Sequence, residues 1–182
     1  MALEPTETSC FFGSFASKAA DNGYSVIPIE PGQKRPQRTV RKWSERGASP
    51  ASDKLLASWV QKFPDHGVGI VGGRIIGVDI DVLDQSLATR LQNAASGILG
   101  DTPLIRVGLA PKRLMVYRAS GPIPSISSGK VDLVGIGRQF VALGIHPETL
   151  QPYQWIGDGT PFDTPFNGLP EVTGYSVDAF MQ

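Results

Sequence analysis

The chain has a single cysteine among its 182 residues, Cys10, so an internal disulfide and any cysteine-rich metal site are excluded. It has no run approaching the ~18 consecutive apolar residues of a membrane-spanning helix. Its N-terminus lacks the basic-then-apolar layout of a secretory signal. A cytoplasmic protein with no membrane partner is therefore expected. There is no internal repeat and no low-complexity tract. Net charge is also lacking: 17 basic residues balance 17 acidic ones. What remains is 41% hydrophobic and 19% charged, the composition of one packed domain rather than a disordered chain.

The neutral total hides an uneven distribution. Every Lys and Arg lies at or before Arg138, and the five acids that follow it have no basic residue among them. Between Glu30 and Arg46 the chain carries Lys34, Arg35, Arg38, Arg41, Lys42 and Arg46. Such a run is either a solvated loop or a surface for a polyanion.

Periodicity predicts an amphipathic helix over 11–21, stopped by Asn22-Gly23, then a buried strand over 24–29. A second helix is expected over 52–63. Strands at 67–71 and 74–81 flank Gly72-Gly73, which reads as a hairpin turn. A helix over 83–99 follows, then strands at 104–107, 113–118, 131–134 and 139–143. The Pro- and Gly-rich end reads as loops. The order predicts one α+β domain over 1–182, with a core at about 15–155, a loop-rich wrap at 156–182 and a largely antiparallel sheet.

Three segments carry chemistry. In Ile75-Ile-Gly-Val-Asp79-Ile-Asp81-Val82, strand alternation points Asp79 and Asp81 to one face while Val78, Ile80 and Val82 pack the other. Paired carboxylates repel unless a cation such as Mg²⁺ sits between them. The pair alone fits phosphoryl transfer, glycosyl transfer or nuclease chemistry. In Arg106-Val-Gly-Leu-Ala-Pro-Lys112-Arg113, cations on a turn lead into an apolar strand ending at Arg118, an arrangement suited to a triphosphate. In the third segment Asp132 lies between Val131 and Leu133, where a third acid could share a sheet face. His146 precedes Pro147 in a loop entered from an apolar strand, and His66 reads as a surface loop residue.

Taken in order, these segments resemble the N-terminal domain of bifunctional DNA primase–polymerases, of the archaeo-eukaryotic primase superfamily, and are most similar to phage or mobile-element members. The resemblance runs from Gly23-Tyr-Ser-Val-Ile-Pro-Ile and Lys34-Arg-Pro36 through Gly67–Gly73, Asp79-Ile-Asp81 and Pro111-Lys-Arg. It continues in Val131-Asp-Leu, Gln139-Phe-Val-Ala, Gly-Ile-His-Pro147 and Tyr153-Gln-Trp155. It implies an RRM-like catalytic sheet with flanking helices, joined to a smaller N-terminal α/β unit. It implies that Asp79, Asp81 and Asp132 are catalytic and hold Mg²⁺ or Mn²⁺ for template-dependent nucleotidyl transfer in replication. Partners would be a DNA template, nucleoside triphosphates and a helicase domain or protein. The nucleotide set would be Lys112, Arg113, Arg118, His146 and Lys34, and the template would be held by Arg38, Arg41 and Lys42. One departure stands out: many members carry a histidine where this chain has Leu114, and Lys112 or Arg113 is expected to replace its phosphate contact. The competing expectations are a nucleic-acid or nucleotide binder without turnover, and a metal-dependent phosphodiesterase or nuclease.

Overall fold

A computed structural model describes residues 10–182, so residues 1–9 of the expected domain lie outside the described residues. Helix α1 (Phe11–Asp21) buries Phe11, Phe12, Phe15, Ala16 and Ala19, and Gly23, at φ +93°, follows its end. Strand β1 (Val26–Ile29) leads into the basic loop and a 3₁₀ turn at Trp43–Glu45. Helix α2 (Asp53–Lys62) is capped by the Ser52 hydroxyl, which accepts the Leu55 N–H. Strands β2 (Gly67–Val71) and β3 (Ile75–Ile80) follow. Asp84 caps α3 (Gln85–Leu99) by accepting the Leu87 N–H at 2.6 Å. Then come β4 (Ile105–Val107), β5 (Arg113–Ala119), β6 (Ile126–Ser127), β7 (Val131–Val134), β8 (Gln139–Leu143), β9 (Gln154–Trp155), β10 (Glu171–Val172) and α4 (Gly174–Met181).

The strands form two sheets. The larger has the order β6-β7-β3-β5-β4-β9, with β10 added beside β5. Its pairs are antiparallel except β10 with β5. Strands β3 and β4 are joined by α3 and separated by β5, a split β-α-β layout that agrees with the expected α+β class. The smaller sheet, β1-β2-β8, is antiparallel.

Two cores result from strand alternation. Ile76, Val78, Ile80, Met115, Tyr117 and Leu133 face one way and pack under α3 and α4. Leu104, Leu114, Val116 and Val134 face the other way, into a core shared with the smaller sheet, α1 and α2. The acids project on this second face.

Three expectations need correction. The Gly72-Gly73 pair is not a hairpin turn: β2 pairs with β1 and β8, β3 pairs with β5 and β7, and the chain crosses between sheets. Glycine is needed there because a Cβ on Gly72 would collide with the Gly135 carbonyl, and one on Gly47 with the Gly72 carbonyl. The smaller unit is not wholly N-terminal, since its third strand is β8. The segment 156–182 is not only loop. Thr173 and Ser176 form a capping box that starts α4, whose Val177, Phe180 and Met181 pack into the helix-covered core.

Candidate nucleotide and metal site

The site lies on the polar stretch of the second sheet face. Ladder register sets Asp79 directly opposite Asp132 across β3 and β7, and directly opposite Leu114 across β3 and β5. Directly paired residues share a face, with Cβ atoms about 4.5–5.5 Å apart. Asp81 lies two residues beyond Asp79, and its backbone N–H continues the ladder by donating to the Lys130 carbonyl at 2.8 Å. Arg106 on β4 stands opposite Leu114, and Trp155 on β9 opposite Arg106. One row across the sheet therefore reads Trp155, Arg106, Leu114, Asp79, Asp132.

A cleft of about 370 Å³ opens at Asp79 and Arg106 of this row. Its lining includes Asp79, Asp81, Arg106, Lys112, His146 and Tyr153. Lys34 reaches its rim from the basic loop and is tied there by its carbonyl, which accepts the Gln139 side-chain amide at 2.7 Å.

Each acid meets a different partner. Asp81 accepts from the Lys112 ammonium at 2.7 Å, a bond that raises the lysine's pKa. Asp132 accepts the Ser128 N–H at 3.1 Å and the Gly129 N–H at 3.4 Å, and the Ser127 hydroxyl at 3.4 Å. Asp79 has its carboxyl pushed up by burial. Arg106 and Lys34 oppose that rise, while Asp81 and Asp132 add to it. Among the described residues, no three His, Cys, Asp or Glu side chains come together as a ready-made metal cluster. The row thus brings the backbones of Asp79 and Asp132 together, while the carboxylates of Asp81 and Asp132 turn to partners of their own. The donor set nevertheless fits a hard divalent cation. Like charges placed directly opposite destabilise a sheet, and a cation relieves both that repulsion and the burial of Asp79.

His146 is buried, and its Nδ1 accepts the N–H groups of Glu148 and Thr149 at 3.2 and 3.3 Å. Its Nε2 is then the nitrogen that carries the proton in the neutral ring. Burial lowers its pKa, and the nearby cations Lys34, Arg106 and Lys112 lower it further against Glu148. Its ring meets Tyr153 edge-on, with centroids 5.1 Å apart. Both rings press against Gly108, where any Cβ would strike them.

Two members of the expected nucleotide set are placed differently. Arg118 pairs with Ile75, four residues along β3 from Asp79 or about 13 Å, and its guanidinium bonds the Glu171 carboxylate outside the cleft. Strand length carries it away from Lys112. Arg113 borders the cleft, but alternation puts it on the side of Met115 and Tyr117, where its guanidinium bonds Gln92 of α3 and the Pro111 carbonyl. Of the template set, Arg38 pairs with Glu30 at 3.4 Å and Lys42 with Glu45 at 3.9 Å, while Arg41 is exposed. Trp43, at the start of the 3₁₀ turn, packs against the core. His66 lies in the turn after α2, partly buried beside Phe63.

Sequence reasoning assigns no role to Arg106, Tyr153, Gln139 or Glu148, all of which line the cleft. The one available signal is Arg106 itself, a lone cation inside the apolar strand Leu104-Ile-Arg-Val107.

Residues 16–172, most of the chain, match the family described as bifunctional DNA primase/polymerase, N-terminal. No curated protein matches the chain.

Proposed function

The chain belongs to the bifunctional DNA primase/polymerase N-terminal family, and from that membership we propose that it joins nucleotides on a DNA template at the cleft over Asp79. The observation that carries this reading is that Asp79 and Asp81 line a cleft whose other walls hold Lys34, Arg106, Lys112 and His146, with Asp132 directly across the strand ladder from Asp79. An acid cluster opposite a cation cluster suits a substrate that carries both metal-bridged phosphates and free phosphate charge.

Asp79, Asp81 and Asp132 would hold Mg²⁺ or Mn²⁺, which when bound supplies charge neutralisation for the phosphates and a more acidic attacking hydroxyl. The chain's own residues do the positioning. Lys112 exchanges Asp81 for an incoming phosphate, so its point charge moves from protein anion to substrate anion. Neutral His146 donates from Nε2 to a phosphate or sugar oxygen. Lys34 closes the rim, and Arg38, Arg41 and Lys42 hold the template backbone nearby. A helicase domain or protein, the partner implied for such replication enzymes, would supply opened template.

The test is incubation with a primed template, nucleotides and Mg²⁺ or Mn²⁺. Template-complementary extension by wild type, abolished by Asp79→Ala with Asp81→Ala, is the expected result. Shortening of the primer would replace this reading with a nuclease. Tight nucleotide binding with no product of either kind would make the chain a binder.

A further inference from the structure

Among the described residues, Arg106 is the only Lys, Arg, Asp or Glu that is buried, at 9% exposure. Its surroundings explain how a guanidinium can be held there, but not why. Its flat face lies over the Tyr153 ring, 4.5 Å from the centroid, with Phe140 at 6.0 Å. One terminal nitrogen, Nη1, donates to the Val141 carbonyl. Its Nε is buried and has no partner. Among the described residues no carboxylate forms an ion pair with it. Asp79 senses its charge, but stands two strands away in the same row, about 10 Å between Cα atoms, with apolar Leu114 between them. A buried charge without a counterion is costly, and an unmet donor adds to the cost.

The geometry says what would relieve it. With Nη1 engaged, Nη2 is left to donate beside an Nε that stays enclosed until a ligand opens that edge, and the two together match two oxygens of one phosphate. Arg106 lines the same cleft as the acids. A phosphate chain lying in the cleft would have Asp79 and Asp81 on one side and Arg106 on the other.

We propose that Arg106 is a phosphate-binding residue, gripping the incoming nucleoside triphosphate side-on from the wall of the cleft across from Asp79 and Asp81. This rests on the nucleotidyl-transfer reading of the cleft. Lys112 contributes a mobile point charge to the same phosphates; Arg106 contributes a fixed, pre-oriented fork. The Tyr153 and Phe140 rings hold its plane, so little ordering remains to be done when phosphate arrives.

The experiment is calorimetric titration of the full chain, in Mg²⁺ and without template, with inorganic triphosphate and separately with a nucleoside triphosphate. Arg106→Gln and Arg106→Lys should each weaken both ligands by about 10- to 100-fold, because neither side chain reproduces the charged fork. Thermal midpoints of the ligand-free variants should match or exceed wild type, since an unpaired buried charge does not stabilise the fold. If Arg106→Gln fails to fold, Arg106→Lys and Arg106→Met carry the same comparison. Wild-type affinity for inorganic triphosphate in the folded variants would overturn the assignment and leave the polymerase reading intact. Tight triphosphate binding lost with Arg106, in a chain that extends no primer, would sink the polymerase reading and leave Arg106 standing.

Discussion

The two faces of the large sheet are built from the same strands and do opposite work. On the helix side, Ile76, Val78, Ile80, Met115, Tyr117 and Leu133 are buried against α3 and α4. On the other side the alternate residues begin as core, with Ile75, Val116 and Val134, and end as a row of charge, with Arg106, Asp79 and Asp132. A one-residue shift along β3 changes a side chain from apolar packing to an acid pushed toward its neutral form by burial. Apolar burial on one face supports a polar face whose charges are poorly paired within the protein. That division is expected where binding energy is reserved for a ligand.

The largest effect that sharpens this contrast comes from the apolar face. Leu133→Ala removes a fully buried side chain and should cost about 2–5 kcal/mol, lowering the thermal midpoint by roughly 4–20 °C. Triphosphate affinity of the remaining folded protein should hardly change, because Leu133 points away from the cleft. A large loss of affinity in folded Leu133→Ala, read by calorimetry, would mean that the two faces are not separable.

A smaller effect is expected at the cleft. Lys112 is partly exposed, so its pairing with Asp81 is worth at most about 1 kcal/mol in the ligand-free chain. Lys112→Ala frees Asp81, and should tighten Mn²⁺ binding by up to about 5-fold while weakening triphosphate binding. Spin-resonance titration of free Mn²⁺ separates the two arms. Looser Mn²⁺ binding in the variant would show that Lys112 supports the acids rather than standing in for their cation.

The smallest effect belongs to the basic loop. Each DNA phosphate that the loop no longer neutralises should reduce the log–log salt slope of binding by about 0.7–0.9. Arg38 and Lys42 already have acidic neighbours, so neutralising Arg38, Arg41 and Lys42 together should flatten the slope by less than three phosphates' worth. Equal slopes for wild type and the triple variant would place the template elsewhere.

Elements with strong local period are readable from sequence. Helix α1 and strands β2, β7 and β8 have the expected bounds, and strand parity alone puts Asp79 and Asp81 on one face. The misreadings share a cause: neighbours in sequence are not always neighbours in space. Gly72-Gly73 reads as a turn because β8, which separates the fates of β2 and β3, enters from some seventy residues later. Arg118 groups with Lys112 in sequence because both border one apolar run, although the run is a strand whose length parts them. Arg106 draws no assignment because a single cation in a four-residue strand carries no motif of its own. Its burial arises only when Tyr153 and Phe140 arrive from distant segments.

The division between the faces is tested most directly at Asp79, by measuring both properties on one variant. Burial raises its pKa in the folded chain, with Asp81 and Asp132 adding to the rise against Arg106 and Lys34, so folding without metal favours its protonated form more than the unfolded chain does. Stability from this group is therefore present below the unfolded carboxyl pKa and lost as pH rises through the folded value. In EDTA near pH 7, Asp79→Asn should melt above wild type and remove this carboxyl's share of the pH dependence. In Mg²⁺ or Mn²⁺ the same variant should incorporate no template-directed nucleotide. A lower midpoint in EDTA together with wild-type incorporation would contradict the account.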